Sequence, residues 1–206
     1  MAVIDIIILC VLVLFGIIGM IKGFLNQIKF VWLKLIITVN KVFMEKISCF
    51  DTNYRFITSS LSAKLLKKFG NNIPTIVCLG SDKVLSDMVG ILVADKLKKL
   101  NIKTYVYGGS DFVITTKNLD CLLSKINCSN ILFIDSAICK EKNNIYYNPK
   151  GIKLKNNKFY DGASIGAGTI FLKKDKIKLA DIGLKEIINF VNIIVLSITD
   201  YLSFVA

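Results

Sequence analysis

Two aspartates, Asp87 and Asp135, stand beside apolar runs in a pattern that could carry acid–base chemistry. The first run, Thr75-Ile76-Val77-Cys78-Leu79, reads as a buried strand that breaks at Gly80. A short polar stretch with Asp82, Ser86 and Asp87 follows, and then apolar residues recur at helical spacing from 87 to 100. Open α/β sheets place ligands where a strand gives way to such a loop and helix. The second run, Asn130-Ile131-Leu132-Phe133-Ile134, leads directly into Asp135-Ser136-Ala137. If the two strands are neighbours, both carboxylates face one crevice. Two carboxylates brought close share a proton, the arrangement by which an aspartate-dependent hydrolase activates water and protonates a leaving group. The residues alone leave two plainer roles open: Asp87 as a helix N-cap, and Asp135 as a solvent-facing strand end.

Other chemistries are excluded or weakened by composition. The chain has no histidine, so a Ser-His-Asp triad is impossible and a cysteine nucleophile lacks its usual base. The six cysteines (10, 49, 78, 121, 128 and 139) form no CxxC pair and no metal-ligand spacing. They read as free thiols of a reducing compartment, and neither a metal nor a cofactor is expected. Net charge is +12, almost all from lysine because Arg55 is the single arginine. Aromatic residues are not interleaved with the lysines as a base-stacking platform requires, so no nucleic-acid partner is expected.

The elements that must position the two aspartates follow an α/β rhythm. Strands are expected at 75–79, 103–107 and 130–134, adjacent, parallel and central. Helices are expected at 87–100 and 117–126, with right-handed crossovers bringing the strands' carboxyl ends to one edge. Leu61 to Phe69 reads as a basic helix, Asn143-Asn144 and Asn156-Asn157 as turns flanking a hairpin, and Lys176 to Ile182 as a further strand. The apolar run from Ile187 to Val205 is interrupted by Asn189, Asn192, Ser197, Thr199 and Asp200. It reads as a buried or amphipathic final helix. The fold expected from 73 onward is a doubly wound, mostly parallel sheet.

Several segments in order resemble the sporulation protein YyaC family. Cys78-Leu79-Gly80-Ser81-Asp82-Lys83 and Asp87-Met88-Val89-Gly90-Ile91-Leu92-Val93 look like its opening motif. Tyr105-Val106-Tyr107-Gly108, Asn118-Leu119 and Phe133-Ile134-Asp135-Ser136-Ala137 fall on later segments. Gly162 to Gly168, GASIGAG, resembles the family's glycine-rich loop. The resemblance spans about residues 73 to 200 and implies the α/β fold of the spore germination protease and, more distantly, of the hydrogenase maturation endopeptidases. It places the germination protease's aspartate pair on Asp87 and Asp135, with Asp82, Ser86, Gly80, Gly166 and Gly168 as binding residues around them. The nickel site of the maturation endopeptidases needs a histidine that this chain lacks. Ile91 and Asp161 stand where the family has prolines, and FLKKDKIK (171–178) where it has a Pro-Pro turn. The implied function is an aspartate-dependent peptidase acting on a protein substrate, against a non-catalytic binding module that keeps the fold.

Upstream, Ile6 to Ile21 is uncharged and almost wholly apolar. With the residues before it, the run approaches the roughly 20 needed to cross a bilayer. The expected organisation is a transmembrane helix at 1–22, a basic amphipathic helical linker at 23–72, and the α/β domain at 73–206. This first span also resembles that of the colicin V production protein family, over about 30 residues. Lys22, Lys29, Lys34, Lys41 and Lys46 all follow the apolar run, so the positive-inside rule puts the α/β domain in the cytoplasm at a single-pass membrane anchor. Detergent is therefore expected to be needed to extract the full chain, and a reporter fused after Ala206 to behave as cytoplasmic. Release by high salt alone would exclude the anchor, and an external reporter would exclude the orientation.

Overall fold

The computed structural model describes residues 47–126, 129–139, 143–154, 157–173, 176–179 and 182–205. The expected membrane helix and the start of the linker lie outside the described residues. Elements in order are β1 (Ser48–Asp51), α1 (Ile57–Phe69), β2 (Thr75–Cys78), a 3-10 turn (Leu85–Asp87) and α2 (Val89–Lys99). Then come β3 (Val106–Tyr107), α3 (Leu119–Lys125), β4 (Ile131–Cys139), β5 (Asn144–Asn148) and β6 (Gly151–Lys153). The chain continues through β7 (Phe159–Asp161), β8 (Ala163–Lys173), β9 (Lys176–Leu179) and α4 (Leu184–Val205).

The fold is α/β around a mixed, mostly parallel sheet. Its order is β1-β5-β8-β4-β2-β3, and β9 pairs with β8. β2 is parallel to both β3 and β4, and β4 is parallel to β8. The three expected strands are therefore adjacent and parallel, but β3 is a two-residue edge strand and not a central one. Its half-buried Val106 and Tyr107, with the exposed Tyr105, never form the apolar run that burial on both faces demands.

Period-two alternation sorts the strand residues onto two cores. Ile76, Cys78, Leu132 and Ile134 pack with α1, α2 and α4, whereas Val77, Leu79, Ile131 and Phe133 pack with Leu119 of α3 and with Ile152, Leu154 and Tyr160 of the β6–β7 hairpin. From β2 the chain steps outward through α2 to β3, then back past β2 through α3 to β4. With crossovers of one hand, this reversal sends the two helices to opposite faces of the sheet. A crevice opens at the carboxyl ends where the direction switches.

The helices are amphipathic in the expected sense. α1 buries Ile57, Leu61, Leu65 and Phe69, one residue in every four. α4 buries Ile187, Phe190, Val191, Ile194, Ile198 and Tyr201. Each fully buried large apolar side chain contributes about 1.5–3 kcal/mol. α4 is long and apolar enough to cross a membrane, with mean hydropathy 1.7, yet this stripe packs into the helical layer. The Tyr201 hydroxyl donates to the Asn72 carbonyl at 2.9 Å and anchors the turn after α1.

Three further differences from the sequence reading have local causes. β1 pairs with β5 and α1 lies in the main core, so the sheet and core reach upstream of 73. β4 runs through Asp135 to Cys139 instead of ending there, because β8 continues alongside it. Gly162–Gly168 is not a loop: from Ala163 it is strand β8, between β4 and β5. Its glycines allow close strand approach. A Cβ on Gly166 would lie 2.7 Å from that of Ala137, and one on Gly168 2.7 Å from the Asn144 carbonyl oxygen.

The tightest backbone approach joins β2 to α2. A Cβ on Gly90 would sit 1.8 Å from the Leu79 carbonyl oxygen, so no side chain fits there unless the helix moves away. Gly90→Ala is expected to destabilise the fold by about 2 kcal/mol, in the range of overpacked cores. The check is a lower urea midpoint; an unchanged midpoint would show that the contact is loose.

Candidate functional site

At the switch in direction lies a cleft of about 640 Å³. Leu79, Gly80 and Ser81 from the end of β2, Asp87 from the 3-10 turn, and Asp135 of β4 all border it. Thr115, Thr116 and Gly151 to Leu154 of the β6–β7 hairpin border it as well. Both aspartates are half-buried. They come from separate segments because β4 extends beyond the last β2 residue paired with it, Cys78 opposite Ile134. The next β4 residue, Asp135, continues the face of Ile131 and Phe133, toward the hairpin.

The 3-10 turn is held in that gap by hydroxyls on a single carbonyl. Ser136 Oγ donates to the Ser86 carbonyl at 2.8 Å, and Thr169 Oγ1 donates to the same oxygen at 2.6 Å. Thr169 is available because the β4–β8 register shifts there: Ala137 pairs with Gly168, and Ile138 with Ile170. The extra residue is a β-bulge, which re-aims a side chain. Ser136 alternates onto the helical face, with Leu132 and Ile134. From the other side, the Ser81 N–H donates to the Asp87 carbonyl at 3.1 Å. Gly80 permits this, since a Cβ there would lie 2.5 Å from that carbonyl oxygen. The N-cap position of α2 falls to Met88, one residue beyond Asp87.

The remaining sequence-derived site residues divide clearly. Gly80 and Gly166 border the cleft with the two aspartates. Asp82 is exposed on the loop and does not border the cleft, and neither does Gly168. Ser86 lies behind the cleft, 2 % exposed, its hydroxyl without a hydrogen-bond partner among the described residues. Its carbonyl, not its side chain, ties the turn down. Asp135 Oδ1 accepts the Ser136 N–H at 2.8 Å, which fixes the carboxylate's orientation.

The hairpin wall is secured at its outer end. Asp120 of α3 accepts hydrogen bonds from Lys158 Nζ at 2.5 Å and Tyr160 OH at 2.8 Å. The Lys158 hydrogen bond, with that of Tyr160, holds the Asp120 carboxyl below the usual carboxylate range. Cys78 is fully buried beneath the site, and burial pushes its thiol well above the ordinary range. It is an inert core residue, since the thiolate is the reactive form. Burial also pushes Cys139 up to about 11. Among the described residues, no three cysteine, aspartate or glutamate side chains come together to hold an ion.

Sequence reasoning missed Thr169, Thr115, Lys153 and Tyr146. Thr169 sits directly after the glycine-rich segment, and a hydroxyl there was the available signal. Lys153 and Tyr146 reach the cleft only because of strand order, which leaves no local trace.

Residues 46–199 match the family model described as "Protein of unknown function (DUF1256)". No curated protein matches the chain. The match does not reach the first 30 residues, so it lends no support to the colicin V production protein resemblance.

Because two hydroxyls hold one carbonyl, their loss should be non-additive. Thr169→Val is expected to cost about 1–2 kcal/mol, the price of a lost buried hydrogen bond. The double variant with Ser136→Ala should cost more than the sum of the singles, since the last donor to a buried acceptor is then gone. Denaturant unfolding of the four proteins tests this, and strict additivity would show that the hydroxyls act independently.

Proposed function

The chain belongs to the DUF1256 family, the family its motifs resemble, and on that premise we propose that it is an aspartate-dependent peptidase. The supporting observation is that Asp87 and Asp135, brought from separate segments, border one cleft at the carboxyl edge of parallel strands. One carboxylate takes a proton from a water attacking the scissile carbonyl carbon. The other, holding a proton, polarises the carbonyl oxygen and then passes a proton to the departing amine nitrogen. Gly80 and Gly166 border the substrate cleft and let its walls pack closely, while Asp82 and Ser86 support the loop. Residues 1–22 anchor the domain to the cytoplasmic face of the membrane, where the substrates are spore or cell-envelope proteins.

One observation favours a second reading, a binding module that keeps the shape and has lost the reaction. Asp135 is already engaged with the Ser136 N–H, a structural role that needs no turnover.

The two are separated by a peptide screen from mildly acidic to mildly basic pH. Asp87→Asn and Asp135→Asn are each expected to lower turnover about a thousandfold, the scale of a lost acid or base, without changing the unfolding midpoint greatly. Replacing Asp82 should cost much less. Asn variants that cleave like the parent would exclude the carboxylate mechanism, and a parent that cleaves nothing would favour the binding module.

A further inference from the structure

Four consecutive residues of β4, Asp135 to Ile138, border the cleft, and so do four consecutive residues from Gly151 to Leu154. Successive side chains of a strand point to opposite faces. An unbroken run of lining residues therefore marks a strand's edge, with its backbone polar groups turned to the cleft.

The hydrogen bonds identify which groups those are. Leu154 N–H donates to the Lys158 carbonyl at 3.0 Å, which makes 154 and 158 a bonded pair of the antiparallel hairpin. Bonded and non-bonded pairs alternate, so Ile152–Tyr160 is bonded and Lys153–Phe159 is not. The N–H and C=O of Gly151 and Lys153 therefore point away from β7. The Gly151 carbonyl accepts from Ser164 Oγ at 2.7 Å, whereas the Lys153 backbone makes no hydrogen bond to the other described residues along this edge. On β4, the Ile134 carbonyl accepts from the Leu79 N–H at 2.7 Å. Ser136, two residues on, turns its carbonyl the same way, into the gap where β2 has ended. Apolar Leu79, Ile152, Leu154 and Ile170 line the space between.

We propose that the cleft takes an extended polypeptide segment as an added strand on the outer edge of β6. The segment pairs with the Lys153 N–H and C=O, passes the Ser136 carbonyl, and sets every second side chain into the apolar lining. Strand addition of this kind draws affinity from main-chain hydrogen bonds and specificity from alternate side chains. The identification of the ligand as a substrate rests on the peptidase reading, but its mode of docking is measured without turnover.

The test uses the full chain in detergent with Asp87→Asn, so that bound peptide persists. The probe is a fluorescein-labelled short peptide alternating valine and threonine, with two isomers N-methylated at odd or at even amides. Binding is read by fluorescence polarisation. One isomer is expected to lose about tenfold in affinity, because its donors face β6, and the other much less. Lys153→Pro should bind about tenfold more weakly than Lys153→Ala. Proline there removes the N–H that points away from β7 but none of the hairpin's own bonds. In the unsubstituted chain, the Lys153 amide should gain exchange protection when peptide binds. The proposal is overturned if both isomers bind like the parent peptide, if the proline and alanine variants bind alike, or if the folded chain binds none of the peptides. Selective docking with cleavage unaffected by Asp87→Asn and Asp135→Asn would remove the peptidase reading alone. Aspartate-dependent cleavage indifferent to N-methylation would remove the docking mode alone.

Discussion

The Ser86 carbonyl, held by the Ser136 and Thr169 hydroxyls, is the contact on which the geometry of the carboxyl edge depends. β4 and β8 outrun β2, and a gap in a buried sheet edge would leave polar backbone groups unsatisfied. The 3-10 turn covers the gap from the helical side, and the two hydroxyls fasten it to β4 and β8. Asp87 is the last residue of that turn, so its position beside the cleft is inherited from bonds made by its neighbour's backbone.

The same edge shows how close packing and a cleft coexist. Gly90 lets α2 start against the Leu79 carbonyl, and Gly80 lets the loop fold back onto the Asp87 carbonyl. On the other face, the β6–β7 hairpin packs on Phe133 and Ile131 and is held to α3 by Asp120. The helical side is dense and mostly apolar, with Ser62, Ser197 and Thr169 buried in it, and the cleft lies on the hairpin side. The functional groups lie along the boundary between the two.

How much of this was legible beforehand varied with the kind of information each residue carries. Strands 75–78 and 131–134 were visible because burial on both faces demands unbroken apolar runs, and α1, α2 and α4 because one helical face must be apolar. Asp87 and Asp135 stood out because each adjoins such a run. The edge position of β3 was not visible, nor was the strand character of Ala163–Gly168. Glycine-rich sequence serves a loop and a closely packed strand equally well, and only the neighbours decide between them.

The sequence by itself determined the α/β class, the alternation that sorts Ile76 from Val77 onto opposite cores, and the absence of any histidine chemistry. These are properties of local periodicity and composition, which a chain carries whatever its path. The tertiary structure alone decided that the winding reverses between β3 and β4, that a bulge frees Thr169 to reach the Ser86 carbonyl, and that Lys153 borders the same cleft as Asp135. Each of these joins residues well apart in the chain, and no spacing within a single element encodes which edge will meet which.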